Sequence, residues 1–253
     1  MIVIKNKSAL VKMRQAGALL SPIIEKACKE IALPGVSTAH IDAWIEKELA
    51  RVDMSSKAKG YKGYRHVSCI SVNDVVVHGV PSKEMILKKG DVVTIDVCAS
   101  WKGYCADMAR CFIVGGVQEK KASELISVAQ SALDIGIEKM VPGNHLSDIS
   151  AAIQQEVEHY GFGVVRDFAG HGIGKRMHEE PEVVNYGKPG KGPVLLPGMV
   201  FALEPMITLG DYKIEIDRDG WTARTVDRSL TAHVEDTVVI TEQGPQILTR
   251  IVE

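Results

Sequence analysis

Segment 91–98, DVVTIDVC, has the apolar, β-branched texture of a buried strand, yet Asp96 falls on the same side as Val92 and Thr94. A carboxylate there needs a partner. The turn Ser100-Trp101-Lys102-Gly103 folds this strand back on 105–114, and a loop centred on Trp101-Lys102 sets Asp107 opposite Asp96. Centring it one residue later leaves the two as diagonal neighbours. In either register two like charges lie side by side, with raised pKa values unless a cation sits between them. The C-terminal part is read as repeating the arrangement. Glu204 interrupts GMVFALEPM, Glu235 precedes DTVVIT, and the turn signal Asp219-Gly220 lies midway, so one long hairpin brings the two glutamates together. Four carboxylates from four strands carry too much charge for one divalent ion and suit two.

Ala169-Gly170-His171-Gly172-Ile173-Gly174 supplies a fifth candidate ligand, with glycines that let backbone approach a bound group closely. His178 follows seven residues later in MHEEP. One histidine with four carboxylates is an oxygen-rich set that fits Mn²⁺, Fe²⁺ or Co²⁺ as well as Zn²⁺. Two such ions, about 3.5–4 Å apart and bridged by carboxylates, would generate a hydroxide at neutral pH and polarise a carbonyl, which is the chemistry of hydrolysis. The His-Glu-x-x-His zinc-protease motif is absent. His78, after an apolar run in NDVVVHGVP, reads on spacing alone as structural. His40, His66, His145, His159 and His233 lack a comparable context and read as surface residues.

The elements that position these residues occur twice. Helical spacing covers 8–32, with Pro22 expected to kink it, and a Ser37/Thr38 cap opens a second helix with Ile41, Trp44, Ile45 and Leu49 on one face. Antiparallel strands follow from 67 to 114. Helices return at 123–140 and 147–160, and strands fill the remainder. A constant shift of 108 places Pro34-Gly35 on Pro142-Gly143, Ile41 on Ile149, Gly90 on Gly198 and Asp96 on Glu204. The expectation is an α+β fold made of one catalytic domain, 1–253. Its halves, about 9–115 and 123–245, pack around a pseudo-two-fold axis with the site between them.

Composition limits the function classes. A formal net charge of −2 spread along the chain, with no Lys/Arg tract, argues against sequence-specific nucleic-acid binding. No apolar stretch reaches the roughly 20 residues that span a bilayer, and 1–8 does not build a signal peptide. Five cysteines without a Cys-x-x-Cys pair read as reduced thiols of a cytoplasmic protein. Monomer is the default state.

NDVVVHGVP (73–81), DVVTIDV with Asp107 eleven residues after Asp96, GHGIGKRMHEEP (170–181), ALEPM (202–206) and VEDTVVIT (234–241) together resemble the type I methionine aminopeptidases over essentially the whole chain. The resemblance implies the pita-bread fold, a curved central sheet flanked by helix pairs, and removal of the initiator methionine from nascent proteins with a small second residue. It implies that Asp96, Asp107 and Glu235 hold one metal, that Asp107, His171, Glu204 and Glu235 hold the other, and that a bridging hydroxide attacks the first peptide carbonyl. His178 would contact that carbonyl oxygen, His78 would sit near the scissile nitrogen, and Glu204 would shuttle the proton. Tyr61, Tyr64, Cys69, Met177 and Trp221 would form the methionine pocket. Met177 stands where the family usually has an aromatic residue, Ala58 where a cysteine often occurs, and 107–111 replaces a more hydroxyl-rich run. The resemblance also implies transient contact with the ribosome. Two rival readings are a proline-directed peptidase of the same fold and an inactive relative that keeps the fold as a binding module.

Overall fold

In the computed structural model, residues 1–116 and 119–250 are described. Helix α1 (Lys7–Lys26) starts where the Asn6 side chain accepts a hydrogen bond from Ala9 N, and it buries Met13, Leu20 and Ile24. It contains Pro22 and continues into a π-helical turn, Ala27–Ile31, which together span the helix expected at 8–32. Ser37 caps α2 (Thr38–Arg51), Glu119 caps α3 (Lys120–Glu138), and Asp148 accepts from His145 N at the start of α4 (Leu146–His159).

The strands of the first half are β1 (Ser55–Ser56), β2 (Cys69–Val72), β3 (Val75–Val77), β4 (Val92–Trp101) and β5 (Tyr104–Ile113). Those of the second half are β6 (Gly163–Val164), β7 (Gly170–Gly172), β8 (Glu179–Val183), β9 (Val200–Leu203), β10 (Met206–Thr208), β11 (Ile214–Ile216), β12 (Ala223–Thr225), β13 (Thr231–His233), β14 (Asp236–Thr241) and β15 (Gly244–Ile247). All pairings are antiparallel. Strand β4 lies between β5 and both β1 and β2 in one sheet, and a five-stranded sheet runs β15-β14-β9-β7-β8. Two three-stranded sheets, β13-β10-β6 and β11-β12-β3, complete the set.

The 108-residue repeat is physical. Both ends of α4 lie 108 residues beyond those of α2. Gly35 N donates to Leu87 O as Gly143 N donates to Leu195 O, and Gly90 and Gly198 both take positive φ, 96° and 89°. Each helix pair covers its own sheet: Leu20, Ile24, Ile41 and Ile45 pack on Ile95 and Val97, while Leu125, Leu133, Ile149 and Ile153 pack on Phe201 and Val238. Each such buried side chain contributes roughly 1.5–3 kcal/mol.

The two hairpins do not repeat in register. Strands β4 and β5 turn at Lys102-Gly103, with φ of 46° and 78°, so Trp101 pairs with Tyr104, Cys98 with Asp107 and Asp96 with Ala109. A two-residue turn with both φ positive matches strand twist and takes Gly readily at its second position. It therefore displaces the loop expected at Trp101-Lys102, and Asp107 is the diagonal neighbour of Asp96, not its partner. In the second half Leu203 pairs with Asp236, Met206 with His233 and Ile214 with Thr225, all equidistant from Asp219-Gly220. The long hairpin exists, divided among three sheets. At the break between two of them the same register sets Glu204 against Glu235.

Candidate metal centre

The backbone at the centre is clamped between the halves. Ala109 and Glu235 exchange both backbone hydrogen bonds, at 3.3 and 3.1 Å, in an isolated antiparallel bridge between β5 and the residue preceding β14. Thr237 Oγ1 accepts from Asp107 N at 2.9 Å and donates to Asp107 O at 2.8 Å. Behind the bridge, Arg110 donates to the carbonyls of Ala109, Glu235 and Thr249 and to Asp236 Oδ1 at 2.7–3.0 Å. Asn185 Nδ2 donates to Glu204 O at 2.9 Å. His171 sits on β7 between two glycines that cannot be replaced without moving backbone. A Cβ on Gly170 would lie 2.5 Å from Ala202 O, and one on Gly172 would lie 2.1 Å from Glu180 O.

This scaffold brings together Asp96, Asp107, His171, Glu204 and Glu235, which line one cavity. Ligand atoms of Asp107, His171 and Glu235 all lie within 4.8 Å of one another. His171 Nε2 is 3.7 Å from Glu204 Oε1 and 3.9 Å from Asp107 Oδ2. Its Nδ1 is 2.9 Å from Gly172 O. A carbonyl only accepts, so Nδ1 carries the hydrogen, and burial followed by His178 pushes the His171 pKa down to about 4. The ring is neutral, and the Nε2 lone pair faces the carboxylate oxygens.

A lone pair aimed at carboxylates is repulsive without a cation. The acids show the same strain. Burial first, then the charge of Asp107, pushes Asp96 well above the carboxylate range. Glu204 is raised by burial, then by Asp96 and Asp107, and Glu235 by burial, then by Asp107, Glu204 and Asp96. Burial pushes Asp107 up to about 7, although the Cys98 thiol favours its ionised form. Asp107 Oδ1 and Glu235 Oε1 are buried without a hydrogen-bond partner. Orphaned acceptors, mutually repelling carboxylates and a converging imidazole lone pair together fit a divalent metal site.

The cavity holds 270 Å³, and beyond the four acids and His171 its walls include Ala58, Tyr61, Tyr64, Cys69, His78, Met177, His178 and Trp221. Tyr64 and Trp221 meet edge to face at 4.9 Å, and Tyr61 meets His178 at 5.5 Å. A wider groove of 740 Å³ shares His78, Asp96, His171, His178 and Glu204 and extends past Arg166, Phe168 and Tyr186 to the surface. His178 stands edge to face on His171 with ring centroids 4.5 Å apart. His78 has a left-handed backbone, φ 58°, a strained conformation for a non-glycine residue, and packs on Phe168 at 5.2 Å. Burial, then His178, pushes the His78 pKa down to about 4, and burial, then Lys62, lowers that of His178. Both rings are neutral near pH 7.

Three histidines differ from their expected surface positions, His145 being half-buried with Nδ1 3.1 Å from Gly192 O. His233 is 2% exposed, with Nε2 lacking a partner 3.7 Å from Glu204 Oε2. His66 is half-buried and bonded to Asp42 at 2.9 Å. His233 lies two residues before Glu235, and Cys98 two after Asp96, so strand alternation from the acids was the signal for both. Arg110 and Lys62 carried no such signal.

The chain matches the sequence pattern of Metallopeptidase family M24 over residues 11–242. It is 46% identical over 252 residues to the methionine aminopeptidase of Clostridium acetobutylicum, covering 98% of this chain and 99% of that one. The crystal structure of the methionine aminopeptidase from Thermotoga maritima superimposes with a TM-score of 0.96 at 41% identity, covering 99% of this chain and 100% of that one. The prolidase of Pyrococcus horikoshii, at 24% identity and a TM-score of 0.79, shares the fold alone, and this chain covers 65% of it. Full-length likeness of sequence and fold has one reading: the chain belongs to metallopeptidase family M24, among its methionine aminopeptidases.

Proposed function

We propose that this protein removes the N-terminal methionine from new proteins by hydrolysis, in the cytoplasm, as a single-domain monomer that meets nascent chains at the ribosome. The observation that carries the reading is the placement of the His171–carboxylate cluster in the same 270 Å³ cavity that Tyr64, Cys69, Met177 and Trp221 line. Soft, adaptable Met and Cys side chains suit a thioether. A pocket that joins apolar walls to a charged cluster suits a substrate whose side chain and free amine arrive together, which is an exopeptidase's requirement.

Asp96, Asp107 and Glu235 would hold one divalent ion, and Asp107, His171, Glu204 and Glu235 the other, with Asp107 and Glu235 shared. Mn²⁺, Fe²⁺, Co²⁺ and Zn²⁺ all fit this donor set. When bound, the ions supply Lewis acidity, lowering the pKa of an attacking water and neutralising the cluster. Neutral His178 donates an N–H to the carbonyl oxygen as it gains charge, worth about 10²–10³ in rate for such a donor. His78, held neutral beside Phe168, orients the scissile nitrogen. Glu204, beside the His171 ring in the cluster, takes the water's proton and passes it to the leaving amine. Residues after the first leave through the wider groove that shares His78 and His178 with the cavity, and a small second residue is preferred.

The test is peptide cleavage by metal-stripped protein with each divalent ion restored. Metal-dependent release of methionine from Met-Ala-Ser, without cleavage of Gly-Pro peptides, is the expected result. Cleavage confined to Gly-Pro peptides would overturn it in favour of a proline-directed enzyme.

A further inference from the structure

The loop 173–179 carries both Met177 of the pocket wall and His178, and it is held from outside the site. Lys5 Nζ donates to Glu179 Oε2 at 2.7 Å and to Val3 O at 3.0 Å, across a sequence separation of 174 residues. The two side chains are 5% and 7% exposed. Glu179 Oε1 accepts from Lys175 N at 3.0 Å and Arg176 N at 3.2 Å, so its carboxylate ties the loop back on itself. The pair packs so closely on Gly174 that a Cβ there would lie 2.5 Å from Lys5 Cε and 2.7 Å from Glu179 Oε1. Lys5 N in turn donates to Gly198 O at 2.8 Å, two residues before β9, the strand that leads into Glu204. One residue thus pins the loop to the sheet that carries the acidic cluster.

We propose that Lys5 is a positioning residue for the loop bearing Met177 and His178, so that the N-terminal segment sets methionine selectivity without touching substrate; the proposal rests on the aminopeptidase reading above. Removing the ammonium leaves Glu179 a desolvated charge held by backbone N–H groups alone. The carboxylate then turns toward water, and Lys175 and Arg176 lose their acceptor. Displacements near 1 Å in such positioning elements cost about 10²-fold in rate.

The experiment compares Lys5→Met, Glu179→Gln and the double variant in the full-length, Mn²⁺-loaded protein. Amide hydrogen exchange over 173–179 reads loop order, and kcat/KM for Met-Ala-Ser against Leu-Ala-Ser reads selectivity. The expected result is faster exchange at Lys175 and Arg176 with β4 and β5 unchanged, and about a 10- to 100-fold loss of kcat/KM on Met-Ala-Ser. The Met-to-Leu ratio falls, and the double variant is no worse than Lys5→Met. Unchanged exchange at Lys175 and Arg176, a preserved Met-to-Leu ratio, or additive losses in the double variant would each overturn the proposal. Glu179→Gln keeps the side chain's shape and decides the matter if Lys5→Met fails to fold. If the unmutated protein releases no methionine with any ion, the aminopeptidase reading falls by itself, and the exchange arm alone decides whether Lys5 holds the loop.

Discussion

Replacing Asp107 by Asn should stabilise the metal-free protein and destabilise the metal-loaded one. The side chain is buried, and its Oδ1 has no hydrogen-bond partner, so the folded metal-free protein gains little from the charge. Burial raises its pKa from 3.8 to about 7. Between these values the folded state holds a proton that the unfolded state has lost, so stability falls as pH rises from 3.8 to about 7 and levels off above. At 1.36 kcal/mol per pKa unit the loss is about 4 kcal/mol above pH 7. Asn has no charge to desolvate and escapes that loss. In the presence of chelator at pH 8, Asp107→Asn should therefore melt several degrees above the unmutated protein, since 1 kcal/mol shifts Tm by roughly 2–4 °C at this size. At pH 4 the two should converge. With Mn²⁺ the order inverts, because the variant loses a proposed metal ligand and with it the stabilisation that binding gives the folded state. Thermal unfolding at the two pH values, with chelator and with metal, measures all four terms. A variant that melts lower with chelator at pH 8 as well as with metal would refute the reasoning, since Asp107 would then make favourable fixed contacts of its own.

Three further substitutions separate the parts of the site. His178→Ala should lower kcat about 10²–10³-fold while Mn²⁺ stoichiometry by calorimetry stays unchanged. Arg110→Met removes the donors to the Ala109–Glu235 bridge and one of two arginines on Asp236, the other being Arg250 at 2.7 Å. It should cost about 3 kcal/mol in denaturant unfolding and weaken metal affinity about 10- to 100-fold. Gly172→Ala forces a Cβ to within 2.1 Å of Glu180 O and should cost at least about 1–3 kcal/mol, with activity lost alongside because the strand bearing His171 must shift.

The acidic residues were legible because each breaks a pattern. Asp96 and Glu204 interrupt apolar strands, and their 108-residue offset exposed the repeat that α2 and α4 reproduce residue for residue. Turn chemistry located Asp219-Gly220 correctly, since every pairing of the second hairpin centres there. It left Lys102-Gly103 as the alternative to Trp101-Lys102, because Ser100-Trp101-Lys102-Gly103 offers two overlapping turns and only backbone twist selects the one with both φ positive. His233 stayed hidden because it sits on a three-residue strand with no glycine or apolar run to mark it. Alternation from Glu235 would have pointed inward. Lys5 and Arg110 were beyond the reach of pattern, since both act through partners more than a hundred residues away.

Five side chains from two pseudo-symmetric halves are proposed to hold a pair of divalent ions. Crystals grown with Mn²⁺, with anomalous scattering measured at the manganese edge, test it most directly. Two peaks about 3.5–4 Å apart are expected, one near Asp96 and the other near His171 and Glu204, with Asp107 and Glu235 between them. No manganese within reach of these five residues, in protein that cleaves Met-Ala-Ser, would contradict it.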